Sequence, residues 1–354
     1  MATDVIGDLS ADELSRVRLH DVAREAGVSL ATVDRVLHGR TGVRARTAER
    51  VRDAVQRLAY KPDPAATRLA RTRPWRLAFL LPAGSNSFVT MLHAEIAALT
   101  PWLAEQRAGA KIYQADAFTP ATAAKAIAAL RGRCDAAVVM AQDHPQVRAA
   151  IDELAAAGIA VVTLVSDVPT HGRAHFVGID NVAAGRTAAT LLGRFAGARK
   201  GRVGIVMGAR SLRDHAERLF GFEQVMAAEH PQLQLLPPIE GQDRSERTEP
   251  LVRTLLEQEP ALAGLYSIGA GNRGIQAALA AAGAVGRVVW VCHELTPYAR
   301  RALLDGVAAA VINQGAAHEV RSACRVALAK LSGERLLHDQ ERIRIEIYLK
   351  DNLP

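Results

Sequence analysis

Side chains suited to contact with a nucleic acid lie together in the segment VSLATVDR. The hydroxyls of Ser29 and Thr32 suit phosphate oxygens, as does the amino terminus of a helix. Leu30, Ala31 and Arg35 lie on the exposed N-terminal side of the helix that this segment predicts, where base edges of a major groove are reached. These residue types therefore predict contact with duplex DNA.

The surrounding sequence predicts two short helices that meet at Gly27. Apolar residues recur at helical spacing on both sides of it: Leu19, Val22, Ala23, Ala26, Val33, Val36 and Leu37. Glycine can close the first helix in a left-handed conformation, and Ser29 is a good N-cap for the second. Thr47 is expected to cap a third helix, AERVRDAVQRLAY. Three short helices over residues 17–60 form the pattern of a helix-turn-helix unit.

Charge is concentrated around these helices. Residues 16–76 contain 15 Lys and Arg against 6 Asp and Glu, whereas residues 77–354 contain 29 against 27. The chain as a whole carries +7. A basic head before a nearly neutral body predicts a polyanionic partner for the head alone; the alternative is a solvated basic surface.

The bulk composition argues against several classes of protein. The longest apolar stretch, AAAGIAVVTLV, is too short to cross a bilayer. The first 16 residues are acidic and polar, unlike a secretory signal. Three widely spaced cysteines form neither a disulfide framework nor a metal motif. We expect a cytoplasmic protein that needs no metal and no cofactor.

The body alternates apolar runs with Ala- and Leu-rich helical stretches. The runs, bounded by turns, are RLAFLLP, AKIYQA, CDAAVVMA, GIAVVTLV, RVGIVMG, ALAGLYSIG, VVWVC and GVAAAVIN. Repeated βα units with nearly continuous apolar strands imply parallel sheets covered by helices. We expect two sheets, with the chain crossing over near Ala196, and a ligand cleft at the carboxyl ends of the strands. The tail RIRIEIYLKDNLP alternates like a strand.

Residues 18–70 resemble the DNA-binding head of the LacI/galactose-repressor family. The core DVAREAGVSLATVDRVL and the later LAYKPDPAATRLA have that family's order and spacing. The resemblance implies that Leu30, Ala31 and Arg35 read bases, and that Ala66 and Leu69 lie in a hinge helix that enters the minor groove. The DNA-contacting residues expected on this basis are Ser29, Leu30, Ala31, Thr32, Asp34, Arg35, His38, Ala66 and Leu69.

Asp34 departs from the family, which usually has serine at this position facing phosphate. A carboxylate there would be repelled by the DNA backbone. Asp34 then either alters sequence preference, by accepting from a cytosine amino group, or forms an ion pair with Arg35 or Arg40. Both interpretations stay open at the level of the sequence.

Residues 76–345 resemble the type I periplasmic sugar-binding proteins, which form the effector domain of this regulator family. The matching segments are FVGIDNVAAGRTAATLLGRF, GRVGIVMG, ERLFGFEQVM and VINQ. The effector-binding residues that the resemblance implies are Asn86, Phe88, Ser166, Asp167, Arg218, Asn272, Glu294 and Gln314. Glu294 replaces the usual aspartate, and Val165-Ser166 replaces the usual Asp-Arg. These departures argue against a plain hexose or pentose and leave polyols, cyclitols and acids.

The predicted fold is an all-α helix-turn-helix head followed by a two-lobed α/β domain with two parallel sheets. Its expected parts are an N-terminal extension (residues 1–16), the DNA-binding domain (17–62), a hinge helix and linker (63–75) and the effector domain (76–354). The predicted function is a dimeric, effector-controlled regulator of a palindromic operator, and repression is the expected sign.

Two other classes compete with the regulator. The loop GAGNRG has the form of a nucleotide-binding glycine motif, so an α/β nucleotide-dependent enzyme with an accessory basic domain is the alternative. It does not account for the helix-turn-helix. A pure transport binding protein predicts an export signal and no head, and the sequence meets neither expectation.

Overall fold

The computed structural model describes residues 17–37, 41–60, 73–84, 86–116 and 118–354. They belong to two compact units, one before Arg73 and one from Arg73 to Pro354. The expected extension over residues 1–16 lies outside the described residues, as do most of the expected hinge and the residues His38, Ala66 and Leu69.

The first unit contains three helices, α1 (Leu19–Ala26), α2 (Leu30–Leu37) and α3 (Ala45–Arg57). Gly27 ends α1 with φ of 60°, in the left-handed region, as the sequence predicts. The Thr47 cap is wrong, because α3 begins at Ala45 after an extended Arg44. Thr47 instead donates its backbone N–H to the Arg44 carbonyl at 2.9 Å inside the first turn.

A small apolar core holds these helices together. Its buried members come from all three helices: Val22, Ala23, Ala26, Val33, Val51 and Ala54. Arg50 on α3 also donates to the carbonyls of Ala26 and Gly27, which would otherwise be unpaired at the end of α1. The core and this bond fix the angle at which α2 leaves the turn.

The second unit contains two sheets. The first has the order β2-β1-β3-β4-β5 and is parallel throughout. Its strands are β1 (Trp75–Pro82), β2 (Ala108–Ala115), β3 (Ala136–Val139), β4 (Ala160–Leu164) and β5 (Arg173–Val177). Its central strand β3 is fully buried, as expected for a sheet covered on both faces.

The second sheet has the order β12-β11-β10-β9-β6-β7, with β8 beside β6. It is parallel except for β12, which pairs antiparallel with β11. Its strands are β6 (Gly201–Met207), β7 (Leu233–Leu235), β8 (Ile239–Glu240), β9 (Leu262–Ser267), β10 (Val289–His293), β11 (Ala310–Asn313) and β12 (Glu346–Tyr348). Only three residues of the C-terminal tail therefore form the predicted strand.

Helices cover both sheets. They are α4 (Ser87–Ala98), α5 (Thr100–Glu105), α6 (Pro120–Ala128), α7 (Pro145–Ala156), α8 (Asn181–Ala196), α9 (Arg213–Glu229), α10 (Ser245–Gln258), α11 (Asn272–Ala281), α12 (Pro297–Leu304) and α13 (Ala316–Ser332). Short 3₁₀ turns follow at His338–Gln340 and Lys350–Asn352. Among the described helices, none is long and apolar enough to span a bilayer.

The chain passes between the two lobes more than once. It leaves the first sheet after β5, and α8 packs against strands of the second sheet. After β11 it returns, because α13 packs against β3, β4 and β5 of the first sheet. The two-lobed α/β architecture with parallel sheets confirms the predicted fold class. The returning helix brings the start of α13 to the junction of the lobes.

Candidate functional site

The surface of α2 carries the predicted DNA-contacting side chains of the described part of the head. Ala31 and Arg35 are exposed. The Ser29 hydroxyl accepts the Thr32 backbone N–H at 3.2 Å and lies 2.9 Å from the Thr32 hydroxyl. The N-cap assignment of Ser29 is therefore confirmed, and both hydroxyls lie at the start of α2.

Leu30 differs from its expected placement, whereas the role of Asp34 stays open. Leu30 was expected to be exposed, but it is half-buried against the core of the head. Asp34 is half-buried on α2 and engaged in a polar or electrostatic interaction. Its two interpretations stay predictions.

In the second unit a cleft opens at the carboxyl ends of the strands of both lobes. It encloses about 1090 Å³, including space open to solvent. Of the predicted effector residues, those that line it are Asn86, Phe88, Ser166, Arg218, Asn272, Glu294 and Gln314. The structure brings these residues together from segments that are far apart in the sequence.

Arg218 is the buried cation of this cleft. It lies on α9 with 2% of its surface exposed. Its Nε donates to Asn181 Oδ1 at 2.8 Å, and its Nη1 donates to the Ile268 carbonyl at 2.9 Å. Its Nη2 lies 3.9 Å from Glu294 Oε1 and has no hydrogen-bond partner among the described residues. Arg218 is thus fixed from behind and offers one donor group to the cleft.

Two glycines allow the helix of Arg218 to approach α8 closely. A Cβ on Gly185 of α8 would lie 1.9 Å from the Arg218 carbonyl oxygen. A Cβ on Gly221 of α9 would lie 2.1 Å from the Val182 carbonyl oxygen. Asn181, at the start of α8, comes within hydrogen-bond reach of Arg218 in this arrangement.

Glu294 and Gln314 lie near Arg218 in the cleft lining, and these buried polar residues together form the charged floor of the cleft. Glu294 follows β10 with φ of 67°, and its Oε1 accepts from Gln314 Nε2 at 2.6 Å. Burial raises the pKa of Glu294 to about 7, although Arg218 and Gln314 favour its charged form. Glu294 Oε2 and Gln314 Oε1 are without a hydrogen-bond partner in the described part of the chain.

Asn272 supports the floor from behind. Its Oδ1 accepts from the Ser267 hydroxyl at 2.7 Å, and its Nδ2 donates to the His293 carbonyl at 3.0 Å. His293 is fully buried, and its Nε2 lies 2.8 Å from the Tyr266 hydroxyl. Burial lowers the pKa of His293 well below its usual value, so the ring is neutral. Since both polar ends of Asn272 have protein partners, it positions the loop before Glu294.

In the first lobe, Asn86 and Phe88 lie at the start of α4. Asn86 Oδ1 accepts the backbone N–H of Phe88 at 2.9 Å and that of Val89 at 3.3 Å. Asn86 therefore caps α4, and the cap holds the Phe88 ring at the cleft wall.

The loop after β4 separates two residues that were predicted together. Val165 has φ of 66°, unusual for a β-branched residue, and the chain turns sharply there. Ser166 lines the cleft with a buried hydroxyl that has no partner among the described residues. Asp167 does not line the cleft. Its carboxylate accepts from the Thr163 hydroxyl at 2.7 Å and pairs with Arg173, because the turn directs it back to the edge of the sheet.

Sequence reasoning missed two buried carboxyl groups near the floor. Asp214 lies in the first turn of α9 and lines the cleft. Glu319 lies in the first turn of α13, is fully buried, and neither of its oxygens has a hydrogen-bond partner in the residues described. Asp214 lies four residues before Arg218 on α9, a spacing that places both on one face of the helix.

Two family models match the chain. The model described as periplasmic binding protein domain matches residues 77–335. The model described as bacterial regulatory proteins, lacI family, matches residues 18–63. The first covers the two-lobed unit, and the second covers the three described helices of the head.

The curated relatives match a short part of the chain. Catabolite control protein A of Staphylococcus aureus is 40% identical over 76 residues, which is 22% of this chain and 23% of that protein. The HTH-type transcriptional regulator pepR1 of Lactobacillus delbrueckii subsp. lactis is 41% identical over 76 residues, with the same shares. This chain thus spans about a quarter of the length of these relatives.

Solved structures match the second unit. A solute-binding protein of an ABC transporter from Burkholderia graminis, in complex with D-arabinose, has a TM-score of 0.73 at 20% identity over 80% of this chain and 97% of that chain. One from Agrobacterium vitis, bound with α-D-tagatopyranose, has a TM-score of 0.69 at 21% identity over 78% and 95%. These likenesses show a shared fold. Because the periplasmic binding protein model matches well over half of the chain, the chain belongs to that family, and it carries a head that matches the lacI-family model over residues 18–63.

Proposed function

We propose that this protein is a sequence-specific DNA-binding transcriptional regulator, acting as a repressor, whose operator affinity is controlled by a small polar effector. One observation carries the proposal: a lacI-family helix-turn-helix head stands before a periplasmic-binding-protein cleft in the same chain. The head contacts the operator, and the effector bound in the cleft controls the operator affinity.

Operator binding requires two heads. A single helix-turn-helix contacts too few base pairs, so a homodimer binds a palindromic site with one α2 in each of two major grooves. The exposure of Arg35 and Ala31 supports base contact from α2. The hydroxyls of Ser29 and Thr32 orient the helix on the phosphates, and Ala66 and Leu69 of the proposed hinge enter the minor groove between the heads.

The effector is a sugar-like or polyol molecule bound between the lobes. Buried polar atoms of the cleft that have no hydrogen-bond partner among the described residues support this, namely Ser166 Oγ, Arg218 Nη2, Glu294 Oε2 and Gln314 Oε1. Such groups are costly unless a ligand or water pairs them. Asn86, Phe88 and Asn272 shape the wall, and the solved relatives with D-arabinose and α-D-tagatopyranose place sugars in this fold.

Control of DNA binding works through a shift between two states of the lobes. Arg213 of the second lobe donates to Asp143 of the first at 3.0 Å, so the lobes already have one polar contact across the cleft edge. An effector that prefers one lobe arrangement changes operator affinity only by its difference in affinity for the two states. In the proposal, that arrangement sets whether the hinge segments of the dimer can pair on the operator.

We do not assign catalysis to this chain, although the GAGNRG loop has the form of a nucleotide-binding motif. Side chains fill the space beside its glycines. A Cβ on Gly269 would meet His215 and Asp243, and one on Gly271 would meet Thr248. Packing against neighbouring side chains therefore explains these glycines without a phosphate. A regulator of this kind acts in the cytoplasm, where we place the protein.

The proposal is tested by gel-shift titration of the full chain against operators selected from random duplexes. We expect a palindromic site, and loss of at least tenfold in affinity for Arg35→Ala, about 1.4 kcal/mol. Arg24→Ala is the matched control, since Arg24 is an exposed arginine of α1 that pairs with Asp21. Selection of no sequence, or equal losses for both variants, would contradict the proposal.

A further inference from the structure

The buried floor of the cleft has more acidic than basic groups. Asp214 and Glu294 are 5% and 6% exposed, and Arg218 is the buried arginine beside them. Asp214 Oδ1 and Glu294 Oε2 each lack a hydrogen-bond partner among the described residues, as does Arg218 Nη2. Two carboxyl groups and one guanidinium, which is already anchored on Asn181 and Ile268, thus bring free hydrogen-bonding atoms to the floor within the described residues.

The histidines near the floor do not supply the missing positive charge. His215 Nδ1 accepts the Gly208 backbone N–H at 3.1 Å, so that nitrogen donates no hydrogen bond to the floor. Its Nε2 lies 3.7 Å from Asp214 Oδ2. His293 is buried, and its Nε2 is shared with Tyr266. Neither ring balances the second carboxylate.

Of the other charged groups that line the cleft in the described residues, the two arginines are exposed and Asp243 is bonded to a backbone N–H. Arg244 and Arg273 are exposed, and Arg273 pairs with Glu246 at 3.0 Å. Asp243 accepts the Ala270 backbone N–H at 2.9 Å. The described lining of the first lobe contains no ionisable side chain. The charge imbalance therefore belongs to the second lobe's floor.

We propose that the effector carries a protonated amino group beside its hydroxyls, as an aminosugar or amino polyol does, and that Asp214 and Glu294 accept the hydrogen bonds of that ammonium. Arg218, Gln314 and Ser166 then bind the hydroxyls. The inference rests on the proposed function, because it specifies the ligand chemistry of the same cleft.

The other ligand classes fit the floor less well. A sugar acid would bring a third anion to the two carboxylates of Asp214 and Glu294. A neutral polyol donates hydrogen bonds to these acceptors but brings no positive charge to them, so it does not favour their ionised form. An ammonium ion supplies several donors and the missing positive charge at once, as charge-assisted hydrogen bonds.

The test compares amino, neutral and acid members of the same carbon skeletons by titration calorimetry with the full chain. The probes are D-glucosamine, D-glucose and D-gluconate; D-galactosamine, D-galactose and D-galactonate; and D-glucamine with D-sorbitol. We expect at least one amino compound to bind at least tenfold more tightly than its neutral counterpart, and the acids to bind least. Absence of binding by every amino compound, or tighter binding of a neutral or acid member, overturns the proposal.

Two variants test the assigned residues. Asp214→Asn and Glu294→Gln keep the side-chain shape, and each is expected to reduce the amino-over-neutral preference by about tenfold. Glu223→Gln, an exposed carboxyl on the same helix α9, is the matched control and should keep the preference. A melting curve for each variant separates loss of folding from loss of selectivity. An unchanged preference in both folded variants overturns the assignment.

Failure of this inference is distinguishable from failure of the proposed function. If a neutral sugar binds best and changes operator affinity in a gel shift, the regulator stands and the ammonium site is wrong. If an amino compound binds with the expected preference but DNA binding is absent or unaffected, the ligand class stands and effector control is wrong.

Discussion

At the residue scale, ligand binding in the cleft depends on side chains that protein hydrogen bonds hold in place while another of their polar atoms stays available to a ligand. Arg218 is held by Asn181 and the Ile268 carbonyl, and Glu294 is held by Gln314. Each keeps one polar atom without a hydrogen-bond partner among the described residues. Such anchoring fixes the geometry of the remaining atoms before a ligand arrives, which lowers the entropic cost of binding.

Glu319 is the residue for which the pH dependence of stability is clearest. Burial first, and then the charge of Glu294, raises its pKa well above the ordinary value, while Arg218 opposes the shift and Asp214 adds to it. The folded state therefore keeps a proton on Glu319 at pH values where the unfolded chain has lost it. Its contribution lowers the free energy of unfolding as pH rises above the unfolded carboxyl pKa of about 4.3.

Glu319→Gln should remove this loss, since an amide does not titrate. We expect the variant to melt at least about 2 °C above the unsubstituted protein at pH 8, with the difference shrinking toward pH 5. Thermal melting at pH 5, 6, 7 and 8 measures it. Glu257→Gln, at an exposed position on α10, is the control and should show no pH-dependent difference. Equal effects of Glu319→Gln at pH 5 and pH 8 would contradict the assignment.

The sequence predicted some site residues and missed others for physical reasons. Arg218 and Glu294 were found through their family motifs, and both line the cleft. Asp167 was placed in the cleft because it follows a strand, but the turn at Val165 sends it back toward Arg173. Backbone conformation at a single residue decides such a case, and a valine in the left-handed region gives no sequence signal.

At the element scale, the buried strands were predictable and the edge strands were not. Central strands such as Ala136–Val139 are buried on both faces and appear as continuous apolar runs. Arg173–Val177 is half-buried and contains arginine and histidine, so it has no such run. The start of α3 was misplaced by three residues because Thr47 is a better N-cap by type than Arg44. The break at Gly27 was predictable because glycine tolerates positive φ.

The contact between α8 and α9 also belongs to this scale. Gly185→Ala would place a methyl group 1.9 Å from the Arg218 carbonyl oxygen, so the helices must separate. Alanine is the better helix former by about 1 kcal/mol, so any net loss comes from packing. We expect destabilisation of about 1–3 kcal/mol and weaker effector binding, because Arg218 and Asn181 move together with the helices.

Melting and calorimetric titration of Gly185→Ala measure the two effects. Gly109→Ala on β2 is the matched control, because its Cβ would meet nothing within 4 Å and the position is exposed. Similar melting temperatures and effector affinities for the two variants would show that the α8–α9 contact does not position Arg218.

At the scale of the whole molecule, the sequence predicted two sheets and the basic head but not the return of the chain between lobes. The helix after β11 packs on the first sheet although it follows the second in sequence. The packing of this helix depends on which face of each sheet is left uncovered by the other helices. That property exists only once the lobes have assembled. The net charge of each segment, in contrast, is the sum over its residues and is predictable without knowledge of the fold.

The concentration of charge in the head predicts how DNA binding responds to salt. Residues 16–76 carry 15 basic and 6 acidic side chains, so operator binding displaces counterions from phosphates. For about 6–10 phosphate contacts by a dimer, affinity should fall about 10³–10⁵-fold between 50 and 200 mM salt. Gel-shift titrations at four salt concentrations measure the slope.

Arg301→Ala removes an exposed arginine of α12 that pairs with Asp305, and it should leave the slope unchanged. Arg44→Ala in the head should make the slope shallower if Arg44 contacts phosphate. A nearly flat dependence for the unsubstituted protein would mean that the basic head does not bind the DNA backbone.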